Sequence, residues 1–163
     1  MGARVLSRDA LEYLQDNLRI LSGFYGILKP LDGVVPYRLE MQSKFINYKN
    51  KDLYEYWADK IANSLFEETN LIINLASKEY SKCVEKYLKN SPGTKFITCV
   101  FGEIKGDKVI ERGTLAKMAR GEMVRYLAQN KICDLEGLKR FDKLEYKYSQ
   151  EKSNENTYVF IKS

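Results

Sequence analysis

An α+β fold, a mixed sheet with helices packed on it, is what the sequence predicts, and three observations carry that reading. Segments with helical spacing alternate irregularly with short β-rich runs, residues 95–113 read as two strands joined by a Gly-Asp turn, and LEYKYS and NTYVFIKS read as two closing strands. The irregular order of the elements argues against a doubly wound parallel sheet.

Ser7 is a candidate N-cap, and Leu11, Leu14, Leu18 and Leu21 recur at helical steps, so an amphipathic helix is expected over residues 8–21, stopped by Gly23. SGFYGILKP then predicts a tight turn and a short second helix before Pro30. Residues 37–46 look extended, and Asp52 caps a helix in which Leu53, Trp57, Ile61 and Leu65 share a face. LIINLA follows as a strand. Ser77 is placed to cap the next helix, with Tyr80, Val84 and Leu88 inward, and SPG ends it. After the hairpin, Thr114 is read as the cap of a long helix to about Asn130, and a short helical piece runs from Leu135 to Arg140.

A chain of 163 residues with 44% hydrophobic residues can bury a core of its own, so residues 1–163 are read as a single domain. Twelve Tyr and seven Phe make it too aromatic for a disordered tail. Lys and Arg outnumber Asp and Glu by 27 to 22, a net charge of +5, which leans towards a polyanionic partner. There are no histidines, which excludes His-based acid–base catalysis, Ser-His and Cys-His nucleophiles, and imidazole metal sites. Cys83, Cys99 and Cys133 are odd in number and far apart, so they read as reduced thiols. No apolar run reaches the roughly 20 residues of a membrane span, and the N-terminal stretch lacks the apolar core of a secretory signal; a cytoplasmic protein is expected.

Two elements can meet phosphate. On the helix after Thr114, a 3.6-residue period puts Leu115, Ala119, Met123 and Tyr126 on one side and Lys117, Arg120 and Arg125 on roughly the other, with Gly121 bare among the cations. These groups either pair with successive phosphates or form a solvated face. In SGFYGILKP the glycines can turn backbone amides outward beside Arg19 and Lys29, as helix-hairpin-helix DNA readers do; the same residues also fit a purely structural turn. Arg38 with Glu40, or Asn74 with Ser77 and Glu79, can line a polar cleft, or serve as a salt bridge and a cap. That cleft is the basis of an alternative reading as an enzyme acting on a nucleic acid or nucleotide. No P-loop, nucleotide-binding or paired-carboxylate spacing is present.

RILSGFYGILKPLD, PYRLEM, LYEYWADKI, INLASKEY and AKMARGEMVRY, in that order, resemble the YaaA family of peroxide-stress proteins, with the similarity running from about residue 7 to the last strand. The resemblance implies a YaaA-type fold with a helix-hairpin-helix-like element, and a role in hydrogen peroxide resistance that limits reactive iron. It also implies a DNA partner, duplex or branched, held in a positively charged cleft, and favours a binding protein over an enzyme. On it, the hairpin Leu21 to Leu31 supplies Arg19, Ser22, Gly23, Tyr25, Gly26 and Lys29, and the basic helix supplies Lys117, Arg120 and Arg125. No cofactor, metal, membrane partner or obligate small-molecule ligand is inferred from the sequence. Lys29 stands where Arg is common in the family, which keeps charge but loses bidentate geometry. The family's usual opening segment, with a strand and a Ser-Pro-Ala-Lys-Thr motif, is not in this sequence, so the chain reads as N-terminally truncated relative to the family.

Overall fold

The helix that starts the described chain is set by its cap: the Ser7 hydroxyl accepts from the Ala10 amide at 3.2 Å, and α1 (Arg8–Asn17) buries Ala10 and Leu14. The computed structural model describes residues 6–44 and 50–162. These fall into two compact units, one of residues 6–16 and 97–162, the other of 17–44 and 50–96. The fold is α+β, with a sheet that mixes parallel and antiparallel pairing.

In the first unit, β4 (Lys95–Lys105) lies parallel to β7 (Thr157–Lys162), from Thr98 opposite Thr157 to Gly102 opposite Ile161. The antiparallel β6 (Tyr146–Ser149) lines the other side of β7. Beyond β7's reach, β4 turns at Gly106 (φ +60°) and Asp107 into β5 (Lys108–Ile110), the hairpin expected from the Gly-Asp turn. The register puts Phe101 beside Phe160, and the two rings stack at 5.1 Å with Phe141 edge-on to both. All three are at most 1% exposed, and each contributes about 1.5–3 kcal/mol by leaving water. Gly102 is required here, since a Cβ would lie 3.0 Å from the Ile110 carbonyl oxygen of the adjoining strand. α5 (Gly113–Gln129) buries Ala116, Ala119, Met123 and Ala128. α6 (Leu135–Lys139) is capped by Asp134, whose carboxylate accepts from the Gly137 amide.

The second unit opens with β1 (Ile20–Ser22) and β2 (Gly26–Leu28), an antiparallel pair. Then come α2 (Leu53–Trp57), α3 (Lys60–Glu68), β3 (Leu71–Asn74) and α4 (Lys78–Glu85). The Lys95 amide at the start of β4 donates to the Asn70 carbonyl at 2.7 Å. Met41, Leu53, Ile61, Ala62, Leu65, Cys83, Val84 and Phe96 form the core, flanked by Trp57 and Tyr80.

Several expectations are corrected. The first helix ends at Asn17, because residues 20–22 pair with 26–28, and the segment read as a short second helix is therefore β2. The helix-hairpin-helix expectation thus meets a helix followed by a β-hairpin. The Asp52 cap holds, its carboxylate accepting from the Glu55 amide at 2.9 Å, but Ala58 (φ 47°) splits the expected single helix into α2 and α3. Thr114 lies inside α5, whose cap is Arg112, and Ser77 precedes α4 without a side-chain cap bond. Residues 37–40 have no regular structure, Met41–Ser43 turn, and the end of the expected extended stretch, residues 45 and 46, lies outside the described residues.

Burial pushes the Cys83 thiol up to about 11 and the Cys99 thiol up to about 12, while Cys133 is exposed. Since thiolate is the nucleophile, brief alkylation of the native chain at pH 8 is expected to modify Cys133 alone, with the other two reacting after denaturation. Mass mapping checks this, and native labelling of Cys99 at Cys133's rate would contradict its burial.

Candidate nucleic-acid interface

Ser22 is the pivot of the glycine hairpin. It is only 3% exposed, and a buried hydroxyl has to be hydrogen-bonded. Its Oγ accepts from the amides of Phe24 (3.2 Å) and Tyr25 (2.9 Å) and bonds the Tyr37 hydroxyl. The turn amides of Phe24 and Tyr25 therefore point inward onto Ser22, whereas the sequence reading aims the turn's amides outward at an anion.

Gly23 is buried because the backbone passes it closely: a Cβ there would lie 2.6 Å from the Leu39 carbonyl oxygen. Gly26 has φ +77° and its missing Cβ leaves room for the Trp57 ring, whose Nε1 donates to the Gly23 carbonyl at 3.0 Å. The Tyr25 hydroxyl accepts from the Val35 amide at 3.1 Å. Arg19 is drawn into the fold, its Nε donating to Glu68 at 2.7 Å. Lys29 is exposed, with its amide donating to Asp32 at 2.8 Å. Phe24 and Tyr37, absent from the sequence-based set, stand exposed at this hairpin. The signal for Phe24 was the aromatic pair between two glycines in GFYG.

The basic helix is α5, in the other unit. Lys117 is exposed, as expected of a cation opposite the Ala119–Met123 side. Arg120 and Arg125 depart from a solvated face. The Arg120 guanidinium bonds Glu111 at 3.1 Å, its side chain 19% exposed, and the Nε atoms of both arginines are buried with no acceptor among the described residues. Helical spacing could not reveal Glu111, which comes from the segment before the helix.

The residues read as a polar cleft are only partly brought together. Asn74 is buried and its Oδ1 accepts from the Ala76 amide at 3.0 Å; the Ser77 carbonyl accepts from Tyr80 and Ser81 at the start of α4. Glu79 Oε1 accepts from the Gln42 amide at 3.2 Å, and its carbonyl accepts from the Tyr54 hydroxyl at 2.9 Å. Burial raises the Tyr80 hydroxyl above its ordinary value, helped by the charge of Glu79 and, more weakly, by Tyr37 and Glu40. Arg38 is exposed. A separate open cavity of about 250 Å³, lined by Tyr54, Lys82, Cys83, Lys86 and Tyr87 among others, holds none of the binding or cleft residues expected from the sequence. No helix among the described residues is long and apolar enough to cross a membrane.

Fold and surface together define a basic α+β protein whose glycine hairpin and cation-bearing helix belong to separate units. The model of the family described as peroxide stress protein YaaA matches residues 1–152, and the chain belongs to that family. It is 58% identical to a UPF0246 protein of Lachnoclostridium phytofermentans over 162 residues, covering 99% of this chain and 63% of that protein. It is 52% identical to a UPF0246 protein of Desulfitobacterium hafniense, covering 100% and 64%, and 52% identical to one of Agathobacter rectalis, covering 98% and 64%. The chain thus spans 63–64% of the length of these relatives.

Gly23→Ala is expected to destabilise the second unit by roughly 1–3 kcal/mol, because the new methyl meets backbone that cannot rotate away. Urea unfolding of the two proteins side by side checks it; an unchanged midpoint would mean that the strap around Leu39 yields.

Proposed function

We propose that this chain binds DNA as part of the peroxide-stress response, contacting phosphates through its exposed and half-buried cations, and that covering DNA limits iron-dependent oxidative damage at the strand. The family supports the peroxide-stress setting. The observation that carries the binding reading is on α5, where Arg120 and Arg125 each keep a buried Nε–H without an acceptor among the described residues, near Lys117 in sequence. An unmet buried donor costs about 1–3 kcal/mol, so a small reorientation towards a phosphate oxygen is favoured. Arginine also offers the paired N–H geometry that phosphate accepts. The hairpin contributes Lys29 and its rigid frame, while Ser22, Gly23 and Gly26 shape the turn. Arg19 serves through its ion pair with Glu68, holding the base of β1 to α3.

Fluorescence anisotropy with labelled duplex DNA across a salt series tests this. Affinity is expected to fall linearly with salt on logarithmic axes, with Lys117→Ala reducing the slope by about 1. The Arg120→Ala/Arg125→Ala pair is expected to weaken binding further in a sample that circular dichroism shows to be folded. A folded wild-type chain with no binding at low salt would overturn the reading.

A further inference from the structure

The tip of the hairpin carries three aromatic rings in mutual contact. Phe24 meets Tyr25 edge-on at 4.9 Å and Tyr37 at 5.4 Å with a tilt of 35°, and Tyr25 meets Tyr37 edge-on at 5.5 Å. Phe24 is 55% exposed and Tyr37 42%. An exposed Phe forgoes the burial that would stabilise it, and a rigid cluster of such rings marks a contact surface rather than a stray side chain.

Rigidity comes from the bonds beneath. Ser22 holds the Phe24 and Tyr25 amides and the Tyr37 hydroxyl, the Tyr25 hydroxyl holds Val35, and Gly23 lies against Leu39 with no room for a side chain. The rings are therefore already ordered, and a ligand that stacks on them loses little to side-chain freedom. The surrounding charge selects the ligand. Along residues 29–44 the exposed charges are Lys29, Arg38 and Lys44 against Asp32 and Glu40, a net positive balance, and the Asp32 carboxylate is turned onto the Lys29 amide.

We propose that the Phe24–Tyr25–Tyr37 platform stacks unpaired nucleobases, so that this unit prefers single-stranded stretches of DNA to a fully paired duplex. Base-on-ring stacking is tolerant of sequence, and the flanking cations follow the backbone. The proposal rests on the nucleic-acid reading above and narrows its substrate to strands with open bases.

The test compares three labelled probes of equal length by anisotropy at one salt concentration: oligothymidine, the corresponding abasic strand, and a blunt duplex. Oligothymidine is expected to bind about tenfold more tightly than the abasic strand, which has the charge without the bases. Phe24→Leu, which keeps apolar volume at an exposed position, is expected to remove about that tenfold while leaving the abasic strand unchanged, and Phe24→Trp is expected to restore it. Equal binding of oligothymidine and abasic strand by the wild type, with salt-sensitive binding intact, would overturn the stacking proposal alone. Absence of binding to all three probes would instead remove the DNA reading itself, and the platform proposal with it. If Phe24→Leu leaves oligothymidine binding intact but dissociates a self-associated form of the chain on gel filtration, the rings are a protein contact and the proposal fails.

Discussion

One buried hydroxyl organises the surface on which the functional reading turns. Ser22 is surrounded by protein, so its oxygen must find partners or cost the fold about as much as a good hydrophobic contact contributes. It finds three, two turn amides and a tyrosine hydroxyl fifteen residues further on. That choice bends the hairpin tightly and fastens the irregular strap of residues 31–40 against it. Phe24, whose amide Ser22 holds, stands exposed above it. The exposed rings are thus a consequence of polar satisfaction underneath them, and Trp57 completes the arrangement by bonding the next carbonyl and filling the space over Gly26.

The other unit is governed by packing. The parallel register of β4 and β7 sets Phe101 beside Phe160, and Phe141 and Tyr146 close on the pair edge-on. Tyr126 of α5 meets Phe141 at 5.5 Å and donates to the Gly137 carbonyl at 3.1 Å, so the basic helix is fixed in rotation by its apolar side. With that rotation set, Lys117 faces water, while the stems of Arg120 and Arg125 lie along the protein and bury their Nε atoms.

What was legible in the sequence was local. Asp52 before an apolar run, Gly-Asp between β-rich runs, and the β-rich LEYKYS and NTYVFIKS segments each carry their own signal, and each led to the element found. The illegible parts were decided by partners elsewhere in the chain. Leu18 and Leu21 continue a helical spacing, yet pairing of residues 20–22 with 26–28 outweighs it, because propensity is worth tenths of a kcal/mol per residue against a closed hairpin. Alanine is the best helix former, so nothing local in Ala58 announces a left-handed break. The site followed the same division. Helical periodicity correctly placed Lys117 outside and Ala119 and Met123 inside, whereas Glu111 on Arg120, Glu68 on Arg19 and the inward turn of the hairpin amides depend on contacts that spacing does not encode.

The division of the chain between the two units has a bearing on its manufacture. Residues 17–96 form one continuous stretch, while the other unit joins the first helix to residues 97–162. A ribosome therefore releases everything the hairpin unit needs before β7 exists. The parallel partner of β4 is made more than fifty residues later, and pairings of such long sequence separation close slowly. Until then the growing polypeptide carries a finished aromatic-tipped body followed by an apolar β4 whose β7 edge is still open, the segment on which a nascent-chain chaperone would act.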